Sequence, residues 1–332
     1  MKSLSSALAL QLRRMASCVL VACIAFAGSV MAQDAYPTKS IRAIIPFGPG
    51  SSTDIIGRIV AEDLGKKLGQ AVVVENKPGA NGFIAAEMAA KAPADGYTVF
   101  ITATTTHSTN PYLFKKLPYD PLKDFAPVGG LMKGYYTIIV NNDIPVKTLS
   151  ELIAYLKANE NTTSYGWGAT VSQLSAAYFL KRIGATSNGV PYKSSPQAMT
   201  DLTGGRLTFM VQDLTSSLAQ IKSERFRALA VTLPHRVPDL PDVPTMAEAG
   251  MPGFKAETWI GMYVPSGTPA PVIERLSSAL REVVSKPEIA QKFTTCCSAS
   301  VFPSTAQEFA DYVAEDRAGW AEHIKSAGIQ PE

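Results

Sequence analysis

Between residues 41 and 102, short runs rich in Val and Ile alternate with segments whose apolar positions recur every three to four residues. The runs 41–46, 72–75 and 98–102 predict strands, and 54–68 and 83–91 predict helices. The rhythm resumes with strands expected at 137–141, 164–167, 189–192, 207–212 and 228–232. Helices are expected between them at 149–158, 172–183, 197–202 and 216–223. A strand at 259–264 and helices at 271–284, 287–293 and 305–327 complete the pattern. Strand and helix in alternation predict an α/β fold with mainly parallel sheets flanked by helices. Two segments, 117–128 and 233–254, break the rhythm with clustered Pro, Asp and Gly. They read as connections near a crossing between two lobes, or as long loops wrapping one lobe. The division that follows is a first lobe of 36–134 plus 256–332 and a second of 135–255.

The first residues change the picture of charge. Lys2, Arg13 and Arg14 precede an apolar run over 15–30 that closes on Val30-Met31-Ala32. These are the parts of a secretory signal, so residues 1–32 are expected to be removed by cleavage after Ala32. The run falls short of the roughly 20 residues that span a bilayer as a helix. Leu20-Val21-Ala22-Cys23 also resembles a lipoprotein cleavage box, and Arg13-Arg14 faintly resembles a twin-arginine signal. The formal net charge of +3 resides in that segment, which holds three cations and no acid, so the mature chain is neutral. No basic stripe argues for nucleic acid. Cys18 and Cys23 leave with the signal, and only Cys296-Cys297 remains. No disulfide framework is expected, and a bridge between sequence neighbours would be strained, so two buried thiols are predicted. The full chain is 46% apolar, and its roughly 300 mature residues suffice for two lobes.

Candidate chemistry gathers in loops that follow strands. In the first, Phe47-Gly48-Pro49-Gly50-Ser51-Ser52-Thr53-Asp54 leads from a buried strand into a helix. Unpaired amides at such a helix start, beside hydroxyls, form a site for an anion. The alternative is that Gly48 and Gly50 only permit the turn and Asp54 only caps the helix. Gly48-Pro49-Gly50, with Glu75 ending the next strand, faintly suggests a dinucleotide site, but Thr53 replaces the third glycine and Pro49 occupies the turn. A second loop carries Thr104, Thr105 and His107 among other hydroxyls, and a third runs Trp167-Gly168-Ala169-Thr170-Val171-Ser172. Trp167 is either an ordinary packed aromatic or a flat wall for a ligand ring. Lys193 and Asp213, each just past a strand, are either solvated charges or pocket residues.

His107, His235 and His323 have no metal-ligand spacing, and no metal or cofactor is predicted. The chain also lacks a G-x-S-x-G elbow, an H-E-x-x-H pair, a phosphate-cradling G-x-x-x-x-G-K and a cysteine in a catalytic context. Nothing here specifies an enzyme, although a secreted enzyme on the same bilobal scaffold is the competing class.

Long stretches of the sequence resemble the extracytoplasmic solute receptors of the tripartite tricarboxylate transporter group, the Bug family. The resemblance rests on 36–50 (Tyr-Pro-Thr-Lys-Ser-Ile-Arg-Ala-Ile-Ile-Pro-Phe-Gly-Pro-Gly), 75–82 (Glu-Asn-Lys-Pro-Gly-Ala-Asn-Gly) and 110–128. Pro191-Tyr192-Lys193, 227–232, 240–250 and 265–269 continue it in order. It implies a two-lobe periplasmic binding protein, type II-like, that closes on a small organic carboxylate for membrane permease subunits and acts as a monomer. Carried over by position, ligand contacts fall at Phe47, Gly48, Ser51, Ser52, Thr104, Thr105, His107, Ala169, Thr170, Ser172, Lys193 and Asp213. Trp167 joins them on its own chemistry. Three departures bear on the ligand: Ser51 replaces a glycine, Trp167-Gly168-Ala169 replaces a glycine pair around a small polar residue, and Gln173 replaces a histidine. A flat indole at 167 favours an aromatic over an aliphatic carboxylate, and Lys193 alone would poorly neutralise a tricarboxylate.

N-terminal sequencing of exported material is expected to begin at Gln33. A lipid-modified Cys23 would show that the signal belongs to the other class.

Overall fold

The computed structural model describes residues 36–327 and 329–331. The signal segment, the cleavage position after Ala32 and Cys23 lie outside the described residues. All the elements below belong to one compact unit that begins at Lys39.

Strand β1 (Ile41–Ile45) runs parallel to β2 (Val72–Asn76) on one side and to β3 (Thr98–Ala103) on the other. Helix α1 (Ser52–Leu68) joins the first pair. The Ser51 side chain accepts the Asp54 amide at its start, and Gly69, at φ 74°, closes its end where a side chain would be strained. Helix α2 (Phe83–Ala90) leads into β3, which then pairs antiparallel with β9 (Glu257–Pro265). A second parallel trio consists of β5 (Ser164–Trp167) between β6 (Asn188–Pro191) and β7 (Phe209–Asp213). It is covered by α4 (Leu149–Ala158), α5 (Thr170–Ile183), α6 (Ser195–Thr203) and α7 (Leu214–Lys222).

Strand β4 (Phe125–Val140) connects the two trios. Its first part pairs with β9 as far as Tyr135, and from Tyr136 it pairs with β7 and with β8 (Arg227–Val231). Alternation along the strand then sorts two cores. Tyr136, Ile138 and Val140 pack with α4 and α5, whereas Ile139 packs with α6 and α7. The Thr232 hydroxyl accepts the Tyr136 amide at 2.9 Å and donates to the Ala256 carbonyl at 2.7 Å. A single side chain therefore ties β4 to the segment that enters β9.

The expected break at 117–128 ends four residues early, because β4 starts at Phe125 and runs without interruption past Gly129 and Gly130. Pro127 signalled a connection, and Gly129 and Gly130 lie just beyond the expected break. They instead mark register shifts against β9, and the glycines leave room for Ser304 and Phe302. Strand β10 (Ser300–Val301) pairs with β4 beside them.

The rest of the chain comprises α8 (Ala270–Val284), α9 (Pro287–Cys297) and the long α10 (Ala306–Ala327). The two thiols expected at Cys296 and Cys297 are instead joined as a disulfide, and only Cys297 is buried. The pair occupies the last turn of α9, where regular backbone gives way to a left-handed Ser298. Strain in a continuous chain was therefore a poor guide at this position. No helix among the described residues is long and apolar enough to cross a membrane.

Gly261 in β9 faces Phe309 of α10 so closely that a Cβ would lie 2.0 Å from the ring. Gly261→Ala is expected to cost about 1–3 kcal/mol in urea unfolding. Combining it with Phe309→Leu should cost less than the sum of the single changes.

Candidate functional site

Loops at the ends of the two parallel trios meet. The turn after β1 holds Phe47 and Gly48 buried; the Phe47 carbonyl accepts Asn76 Nδ2 at 2.9 Å. A Cβ on Gly48 would lie 3.0 Å from Ser194 Oγ, and one on Gly50 3.7 Å from Pro196 Cγ. Ser194 and Pro196 belong to the second trio, at the start of α6. Gly168, at the end of β5, packs against the same place, where a Cβ would come within 2.0 Å of the Ser195 amide nitrogen. Glycine is required at Gly168 by this approach and not by its backbone angles.

Threonine hydroxyls also link the trios. Thr170 Oγ1, at the start of α5, lies 2.5 Å from Thr109 Oγ1 and donates to Asn110 Oδ1 at 3.3 Å. Thr109 ends a π-helical turn, Thr105–Thr109, that follows β3, and Asn110 opens the short helix α3 (Asn110–Leu113). The buried Tyr136 hydroxyl bonds to the side chains of Ser172 on α5 and Thr258 on β9. Burial, followed by the nearby Asp213 charge, holds that phenol neutral by raising it well above its ordinary range.

The helix starts differ in what remains available. At α1, Asp54 accepts the Gly50 amide, Arg58 Nε and Asn76 Nδ2, and Ser51 accepts the Asp54 amide. At α7, Asp213 accepts the Ser216 amide and hydroxyl and the Gln212 amide group. Asp213 is therefore occupied as a cap, with burial raising its carboxyl and those donors opposing the rise. By contrast, α5 and α6 begin at Ala169 and Ser194 with no side-chain cap. Their first amides lack intrahelical acceptors, and Gly168, just before one start, packs against the other at Ser194 and Ser195. Such paired helix starts attract a carboxylate.

Gly48 meets Ser194 at this junction, Thr170 reaches Thr109 and Asn110, and Ser172 reaches Tyr136, while Ser51 and Ser52 follow the Gly48 turn at the start of α1 and Lys193 is exposed beside Ser194. Thr104 is fully buried and its hydroxyl accepts the Trp259 amide at 3.0 Å and the Thr258 hydroxyl at 3.2 Å, so it braces β3 against β9. Thr105 uses its carbonyl to accept the Thr109 hydroxyl. Trp167 is half-buried and leans away from the strand end. Its ring lies against Tyr165, with centroids 5.4 Å apart, and a Cβ on Gly189 would lie 2.7 Å from the indole. Glu75 is engaged by Arg42 at 2.9 Å and Lys77 at 3.4 Å.

Thr109, Asn110, Tyr136, Ser194 and Thr258 were not singled out from sequence. Ser194-Ser195-Pro196 carries a helix-start signal, a small polar residue followed by proline in the first turn. The others act through residues distant along the chain and leave no local pattern.

The profile of the TctC family, described as "Tripartite tricarboxylate transporter family receptor", matches residues 56–329. A solved structure of the periplasmic binding protein BugD is 34% identical, covers 90% of this chain and all of its own, and superposes with a TM-score of 0.85. Rpa4515 of R. palustris, solved with adipate, is 32% identical with a TM-score of 0.87 and the same coverage. MatC from Rhodopseudomonas palustris, with bound malate, is 28% identical with a TM-score of 0.81, covering 87% of this chain and all of its own.

His107 is not brought to the junction. Its ring stacks on Tyr263 at 4.1 Å and packs against Phe125 at 5.1 Å. Burial, aided by the Arg317 charge, lowers its pKa to about 3. A base lowered in the folded state gives stability that is complete above the unfolded value near 6.5 and is lost as pH falls below it. Between pH 7 and pH 5, the wild type should therefore lose about 2 kcal/mol more than His107→Gln. Denaturant melts at the two pH values measure the difference.

Proposed function

The chain belongs to the tripartite tricarboxylate transporter receptor family, and from that premise we propose a periplasmic receptor that closes two lobes over a small organic carboxylate and presents it to membrane permease subunits. The lobes are 36–134 with 256–332, and 135–255, and the receptor works as a monomer. The change of partners along β4 at Tyr135 and Tyr136 supports this division.

The observation that carries the reading is the pair of uncapped helix starts at Ala169 and Ser194, facing the Gly48 turn across the lobes. Backbone donors fixed in place hold an anion without the reorganisation that a flexible cation would need. Ser51, Ser52 and Thr170 border the same space and contribute hydroxyls directly or through water. Phe47 and Thr104 hold the first two loops in place, and Ser172 holds the Tyr136 hydroxyl. Lys193 supplies the cation of the set at the rim.

The preference for an aromatic acid rested on Trp167 as a wall of the cleft. With the indole leaning on Tyr165 and Gly189, that basis is gone. A short aliphatic dicarboxylate becomes the better choice, the class to which the adipate and malate of the two similar structures belong.

Ala169→Asp provides the test, because it gives α5 a cap that competes with the ligand. Helix capping should raise stability by about 1 kcal/mol. Calorimetric affinity for adipate or malate should fall at least about tenfold, the scale of one lost charge-assisted hydrogen bond. Unchanged affinity in a variant that gained stability would place the carboxylate elsewhere.

A further inference from the structure

On the far side of the turn that carries His107 lies a cavity of about 190 Å³. It opens to solvent beside Leu122 and is lined by the 121–127 segment, by Tyr263 of β9 and by Ala310, Val313, Ala314 and Arg317 of α10. Two of its lining groups have buried polar atoms with no hydrogen-bond partner among the described residues: His107 Nε2 and Arg317 Nε. His107 is only 2% exposed, so no bulk solvent satisfies its ring. Orphaned buried polar atoms carry a desolvation cost unless something completes them.

We propose that this cavity is a second ligand site, separate from the interlobe cleft, for a small monocarboxylate with an apolar body the size of one ring. Arg317 meets one end of such a molecule as a charged donor. His107 meets it as a neutral donor. The Thr102 and Thr106 hydroxyls lie 2.7 Å apart, and Thr106 lies 2.9 Å from His107 Nδ1. With Thr106 donating to Nδ1, the ring proton resides on Nε2 and points into the cavity. Apart from the Tyr263 phenol, the remaining walls, Phe125, Pro127 and Val313 among them, are apolar and suit a hydrocarbon body, not a second carboxylate. A cavity of roughly 150 Å³ already admits a benzene-sized molecule. A dicarboxylate of the kind proposed for the cleft would bury an uncompensated charge here. The assignment does not depend on the cleft reading.

Fluorine NMR titration of the mature protein with 4-fluorobenzoate tests it. Wild type and Ala169→Asp should bind the probe with equal affinity, since the latter alters only the cleft. Arg317→Gln, which removes the charge, and Ala314→Trp, which fills the cavity from an exposed helix position, should each weaken binding at least about tenfold. Circular dichroism confirms that both variants fold. Absence of a saturable shift with wild type overturns the proposal. So does full binding by Arg317→Gln and Ala314→Trp, or loss of binding confined to Ala169→Asp.

Discussion

Two sheets share one strand, and that constraint organises the molecule. Strand β4 is hydrogen-bonded to β9 through Tyr135 and to β7 and β8 from Tyr136 onward. The change of partners falls within one residue of a continuous strand, so the closure proposed above would be absorbed there and at the segment entering β9. Thr232 binds those two places together through one hydroxyl. The pleat makes the junction directional: Tyr136 turns its phenol toward Ser172 and Thr258, so the first residue beyond the change of partner also reaches both sides of the cleft. Ladder bonds on either side of the change make each part of β4 rigid with its own sheet, which suits the rigid-body closure proposed above.

The same geometry explains what could be read along the chain and what could not. Strands and helices were readable because each covers a core of its own lobe with a local period. Ser164–Trp167 and Leu149–Ala158 coincide with their predicted bounds. The loop ends stood out as candidate anion-binding chemistry because glycines and hydroxyls cluster there in sequence. Which helix starts remain open was not. Asp213 was read as either a solvated charge or a pocket residue, yet its side chain caps α7 by accepting the Ser216 amide. Ser194 looked unremarkable, yet its contact with Gly48 spans well over a hundred residues and has no local signature.

Trp167 illustrates a different limit. Its place at the end of β5 was evident, but a strand end allows its last side chain to lean forward over the cleft or back along the sheet. The choice is made by Gly189 on the neighbouring strand, whose missing side chain leaves a recess that the indole occupies. The glycine was visible in the sequence, but its register opposite Tyr165 was not. Pro127 misled for a related reason, with Gly129 and Gly130 just beyond the expected break. They mark turns when nothing pairs with them, but in β4 they mark bulges where Ser304 and Phe302 approach the strand.

The turn Thr105–Thr109 joins these arguments, because it presents opposite sides to two environments. Thr109 reaches across to Thr170 on the second lobe, while His107 turns into the aromatic interior beside Tyr263 and the cavity lined by Arg317. A regular α-helix places residues two apart on different faces, and the wider π-helical turn keeps that division while leaving room for a buried ring. Thr104 anchors the start of the turn to β9 through the Trp259 amide, and Asn110 anchors its end through the Asn81 carbonyl. Held at both ends, the turn cannot tilt freely. The position of the Thr109 hydroxyl toward the second lobe is thus set by the same packing that holds His107 against Tyr263.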